Sequence, residues 1–115
     1  MTAYSPQRVP EAMTVASTTR DDRAVSSHYG PTLTLFAPGD AIEAAGSQSD
    51  AATFTGNGDS YAAPVVAGIA ALYLQVHPQA SPADVKAAVI AAAGSGLVLN
   101  PGTSPNRLAH LIDSP

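Results

Sequence analysis

Ser60 is the residue whose setting could do chemistry. It closes a glycine-rich turn and opens an apolar run, in the stretch Gly56-Asn57-Gly58-Asp59-Ser60-Tyr61-Ala62-Ala63-Pro64 followed by Val65–Leu74. A serine hydroxyl in such a place has two physical readings. It can cap the helix that follows by accepting a backbone N–H. It can also be a nucleophile, provided a base removes its proton and the N–H groups at the positive end of the helix stabilise the anion formed on the attacked carbonyl. Asp59, next to it, adds a negative charge that opposes such an anion if it points inward and matters little if it points to water.

The base is not evident. Of the three histidines, His28 lies in a serine-rich loop, His77 precedes Pro78 at an expected helix end, and His110 lies in the tail segment Leu-Ala-His-Leu. An unassisted serine hydroxyl is a weak nucleophile at neutral pH. The pair Asp21-Asp22 could attract a cation, but Arg20 and Arg23 flank it and compete for the same carboxylates. No metal site is therefore assigned.

The elements that must position Ser60 follow from pattern. Met13–Thr18 alternates and is rich in β-branched residues, which predicts a strand; Thr32–Ala37 predicts a second, closed by Pro38-Gly39. Ala41–Gly46 reads as a short extended or irregular piece, and Ala52–Thr55 as a strand entering the glycine turn. Two glycines around Asn57 permit positive φ, and Pro64 is expected within the first turn of a helix running from about Ser60 to Val76, with Ser60 at or near its N-cap. No Asp, Glu, Lys or Arg occurs between Asp59 and Asp84, which predicts burial for this helix. Ser81-Pro82-Ala83-Asp84 starts a second helix, with Val85, Val89 and Ile90 on one face and an end near Ala93-Gly94. Leu108–Ile112 is expected to pack back on the body.

Composition sets the bounds. The chain has 115 residues, 45% of them apolar but only 5% aromatic, so close packing of alanine and valine is expected over a core filled by rings. Five basic against nine acidic residues give a net charge of −4, which offers no footing for nucleic acid or an anionic membrane. There is no cysteine, hence no disulfide or thiolate chemistry. The amino terminus shows no secretory signal pattern, and the apolar run is shorter than the roughly 20 residues a membrane span needs.

The motif at Ser60 resembles the nucleophile motif of the subtilisin-like serine proteases (subtilases, peptidase family S8), written Gly-Thr-Ser-x-Ala-x-Pro-His-Val-Ala-Gly, and Ser60 falls on the nucleophile. Met13-Thr-Val-Ala-Ser-Thr-Thr19, Ser27-His-Tyr-Gly30 and Leu35-Phe-Ala-Pro-Gly39 are similar to the family's Thr-Val-Gly-Ala, Ser-Asn-Tyr-Gly and Phe-Ala-Pro-Gly segments, in the same order. Ser104-Pro-Asn-Arg-Leu108 resembles the closing segment of the proteinase K branch. The resemblance implies an α/β fold, the C-terminal part of a three-layer architecture with a mainly parallel sheet flanked by helices, and makes residues 1–115 a partial catalytic domain carrying the nucleophile.

The same resemblance implies a serine endopeptidase that acts on polypeptides through an acyl-enzyme at Ser60. The family's Asp and His and its oxyanion asparagine belong to segments that would precede this chain, so the chain alone is expected to be inactive; in subtilisin, loss of the histidine alone lowers turnover by about 10⁶. The alternative is a non-catalytic pseudoprotease, or a piece that pairs with a complementary chain or self-associates through an exposed sheet edge. Departures from the motif favour that alternative: Asp59 replaces threonine, Val65 histidine, and Ala16 glycine. Calcium is expected for the family, and the proteinase K branch often places a ligand aspartate where Thr34 stands; a neutral hydroxyl is a poor substitute, so no calcium site is carried over. Secretion is a family expectation.

Overall fold

The structure, a computed structural model, describes residues 5–25 and 30–113. His28 and most of the loop 25–29 lie outside the described residues.

Among the described residues eight elements follow one another: β1 (Val15–Thr18), β2 (Leu35–Pro38), β3 (Ile42–Ala45), β4 (Thr53–Gly56), α1 (Asp59–Val76), α2 (Pro82–Ala92), β5 (Gly94–Ser95) and β6 (Arg107–Leu108). The main sheet has the order β1-β2-β6-β5, with β1, β2 and β6 parallel and β5 antiparallel to β6. The carboxy-terminal segment therefore supplies a strand to the sheet, beyond the expected packing. β3 and β4 form a separate antiparallel hairpin, with Ile42 opposite Gly56.

Strand β2 explains why the sheet is buried on both faces, as a parallel sheet must be. Leu35 and Ala37 face a cluster with Ala62, Val66, Ile69 and Ala70 of α1 and Val85 and Val89 of α2. Phe36 points the other way, to Ala16, Ala24, Leu33 and Val98. The period of two along the strand thus divides the core into two layers. The buried positions of α1 repeat at helical spacing, and two of the four are alanine, which brings the helix backbone close to the strands.

Burial of α1 is narrower than its lack of charge predicts. Leu72, Leu74 and Val76 remain 56%, 38% and 55% exposed, because only one side of the helix meets the sheet and α2. Its boundaries also differ from expectation. Gly58 is the N-cap, with φ 130°, a backbone conformation that favours glycine. Ser60 is consequently the second helical residue and makes no capping bond. Pro64 lies inside the helix and not in its first turn, so it offers no N–H to the Ser60 carbonyl.

The remaining helix ends follow the sequence. His77 is the C-cap of α1; its N–H bonds the Tyr73 carbonyl and its ring stacks on Tyr73 with centroids 4.3 Å apart. Ser81 and Asp84 form a reciprocal capping box on α2, with Pro82 as first residue. No helix among the described residues is long and apolar enough to cross a membrane.

Candidate active site

The turn before α1 is fixed by contacts that its glycines permit. The Gly58 N–H donates to the Gly39 carbonyl at 2.7 Å, and a Cβ on Gly39 would lie 2.5 Å from the Ser17 Cβ and 2.7 Å from the Gly58 oxygen. Only a residue without a side chain lets the end of β2, strand β1 and the turn meet this closely. Asn57 accepts from the Ala41 N–H at 2.6 Å, tying the turn to the start of the hairpin. Tyr61 lies over Gly56 and stacks on Phe54, with centroids 6.4 Å apart.

Ser60 emerges from this frame as an exposed residue in the first turn of α1. The N–H groups of Tyr61 and Ala62 both go to the Gly58 carbonyl. The Ser60 N–H finds no acceptor among the described residues, as expected for a leading amide of a helix. Hydroxyl, leading amide and helix dipole therefore share one solvent-facing corner, an arrangement suited to attack on a carbonyl and to holding the anion that results.

The Asp59 side chain turns away from that corner. Its Oδ1 accepts the Ser17 backbone N–H at 2.8 Å and the Ser17 hydroxyl at 2.9 Å. The direction of Asp59, open at the level of sequence, is thus toward β1, where the carboxylate joins the helix start to the sheet. The Ser17 carbonyl accepts from the Val25 N–H at 3.0 Å. Although β1 is an edge strand among the described residues, its polar groups at Ser17 are occupied.

No described histidine serves Ser60. His77 is at the opposite end of α1, and at about 1.5 Å of rise per residue the 17 steps between them span about 25 Å. His110 is exposed and contacts the Leu111 carbonyl at 2.8 Å, beyond β6. Asp21 and Asp22 lie in a turn, and no group of three or more His, Cys, Asp or Glu among the described residues could hold a metal. Thr34 is 4% exposed and its hydroxyl accepts from the Thr14 N–H at 3.0 Å. Sequence reasoning missed Ser17. The signal was available, since Ser17 stands in the family's Thr-Val-Gly-Ala segment at the alanine, a second departure that meets the departure at Asp59.

The profile of the Subtilase family (Peptidase_S8) matches residues 1–110. The chain belongs to the subtilase family. The extracellular serine proteinase of Thermus sp. (strain Rt41A) is 49% identical over 109 residues, covering 93% of this chain and 27% of that protein. The alkaline serine exoprotease A of Vibrio alginolyticus is 41% identical over 110 residues, covering 95% and 20%. A crystal structure of a cold adapted subtilisin-like serine proteinase superposes with a TM-score of 0.89 at 37% identity, over 96% of this chain and 40% of that one. The α/β architecture with its mainly parallel sheet is that of the subtilisin-like fold. This subtilase chain spans about a quarter of the length of the curated relatives.

Proposed function

We propose that Ser60 is the acyl-accepting nucleophile of a subtilisin-like serine endopeptidase, and that residues 1–115 are the nucleophile-bearing part of its catalytic domain. The observation that carries this reading is the exposed Ser60 hydroxyl at the start of α1, with the neighbouring carboxylate bonded to β1 and so removed from the corner where an oxyanion would form. A histidine and an aspartate from sequence outside this chain complete the triad. The imidazole takes the Ser60 proton as Oγ attacks the peptide carbonyl carbon; the tetrahedral intermediate collapses, the amine leaves with that proton, and water hydrolyses the ester. The substrate is a polypeptide, and the site of action extracellular, by analogy with the relative whose name says so.

The chain alone lacks the base and is inactive on this reading. A fluorophosphonate probe is expected to leave the 115-residue chain unlabelled, and to label Ser60 once a segment bearing the family's Asp and His is supplied, with S60A blank throughout. Labelling of the isolated chain refutes the need for that segment. Absence of labelling in the completed protein refutes the catalytic reading and supports the non-catalytic one, which Val65 in place of the motif histidine favours. The exposed pair Leu72 and Val76, on one flank of α1, supports a complementary segment in both cases.

A further inference from the structure

Residues 5–12 form no regular element, yet they are held in a defined course. The Val9 N–H bonds the Pro6 carbonyl at 3.0 Å and the Ala12 N–H the Val9 carbonyl at 3.2 Å, while the Thr14 hydroxyl donates to the Gln7 carbonyl at 3.2 Å. These turns direct the carbonyls of Pro10 and Ala12 at a single cation, the ammonium of Lys86 on α2, which donates to both, at 2.9 Å to Ala12. The loop runs directly into Thr14, whose N–H donates to the Thr34 hydroxyl and whose carbonyl accepts from the Thr34 N–H at 2.9 Å.

Thr34 is the position at which the family resemblance implies a calcium carboxylate, and the residues present do not fit that ion. Calcium takes six to eight oxygens and favours carboxylates. Here the side chain is neutral and buried, its oxygen already accepts a backbone N–H, and two carbonyls of the adjoining loop are bonded to a fixed positive charge that repels a divalent cation. At this corner the position expected to carry a carboxylate is neutral, and a cation on a covalent stem already occupies the two loop carbonyls.

We propose that the Lys86 ammonium holds the loop 5–12 against α2 in place of a bound calcium ion, making this corner of the subtilase fold independent of calcium. Amide hydrogen exchange at Val9 and Ala12 tests it in the full chain. In the unaltered protein the exchange rates are expected to be the same in excess calcium and in EDTA. K86M is expected to speed exchange at both amides about ten-fold, a modest effect for losing two charge-assisted hydrogen bonds because both lie at the surface, and K86R to restore most of the protection. Slower exchange in calcium or faster exchange in EDTA for the unaltered protein overturns the proposal, as does a K86M rate equal to the unaltered one. The calcium and EDTA arm needs no variant, and neither arm depends on whether Ser60 is a nucleophile.

Discussion

Removing the Asp59 carboxylate is the sharpest perturbation of the candidate site. D59A strands two donors on Ser17, the backbone N–H and the hydroxyl, and Ser17 is only 1% exposed. Hydrogen bonds to charged groups contribute about 1.5–3 kcal/mol each, and this site is partly open to water, so D59A is expected to destabilise the chain by about 3 kcal/mol. S17A loses the hydroxyl bond but keeps the amide bond, an expected loss of about 1 kcal/mol. D59N retains an oxygen where Oδ1 sits, able to accept from both donors, and should lose under about 1 kcal/mol.

Urea denaturation at constant m measures all three, and the double variant S17A/D59A should fall short of additivity by about 1 kcal/mol. A second readout isolates charge. A carboxylate about 4 Å from an oxyanion, at an effective dielectric near 20, would oppose it by about 4 kcal/mol, so D59N would then accelerate Ser60 labelling in the completed protein by about a thousand-fold. Because the carboxylate faces β1, the expected change is small. Additive losses in the cycle, or labelling accelerated by orders of magnitude in D59N, would refute the assignment of Asp59 as the link between sheet and helix.

Three further outcomes follow from the same geometry. Gly58 holds φ 130°, so G58A should destabilise by about 1–2 kcal/mol, read from the urea midpoint; an unchanged midpoint would mean the turn relaxes freely. The Thr18 hydroxyl is buried with no partner among the described residues, so T18V should leave the melting temperature unchanged or raise it by the equivalent of about 1 kcal/mol, whereas a clear fall would reveal an acceptor. Asp84 has its carboxyl held below its ordinary value of 3.8, first by the Ser81 hydroxyl and then by the Ser81 backbone N–H. A folded-state pKa below the unfolded one means the capping box stabilises fully above pH 3.8 and ceases to do so as pH falls through the lower folded value, so the stability gap between the unaltered chain and D84N should close on acidification through that range.

The legible parts of the sequence were those in which one residue type carries a local constraint. Ser81-Pro82 with Asp84, the Gly58 turn and the alternation of β2 each fix geometry within a few residues, and each appears in the structure. What was not legible depends on contacts across long separations. Arg107–Leu108 becomes a strand because β2 and β5 present partners for it, although two residues carry no strand pattern of their own. Ile42–Ala45, which reads as irregular on its own, becomes a strand because the nearby strand Thr53–Gly56, which the sequence did announce, pairs with it. The orientation of Asp59 needed Ser17, 42 positions away, and the hold on the amino-terminal loop needed Lys86, more than 70 away.

The free edge of β1 and the exposed flank of α1 are not equivalent. At β1 the groups that could nucleate unwanted strand pairing are partly answered from within, since Asp59 takes the Ser17 N–H and Val25 donates to the Ser17 carbonyl. On α1, Leu72 and Val76, one helical turn apart, stay exposed on a flank of the face packed on the sheet, beside Leu111 of the carboxy-terminal segment, which covers them only in part. Fully burying a leucine or valine is worth about 1.5–3 kcal/mol, so covering these two, each already about half shielded, would contribute about 2 kcal/mol. A contribution of that size is a large fraction of a typical domain stability of about 5–15 kcal/mol. The helix that presents Ser60 at one end thus carries an exposed apolar pair near the other, and burying that pair would stabilise the same element that places the nucleophile.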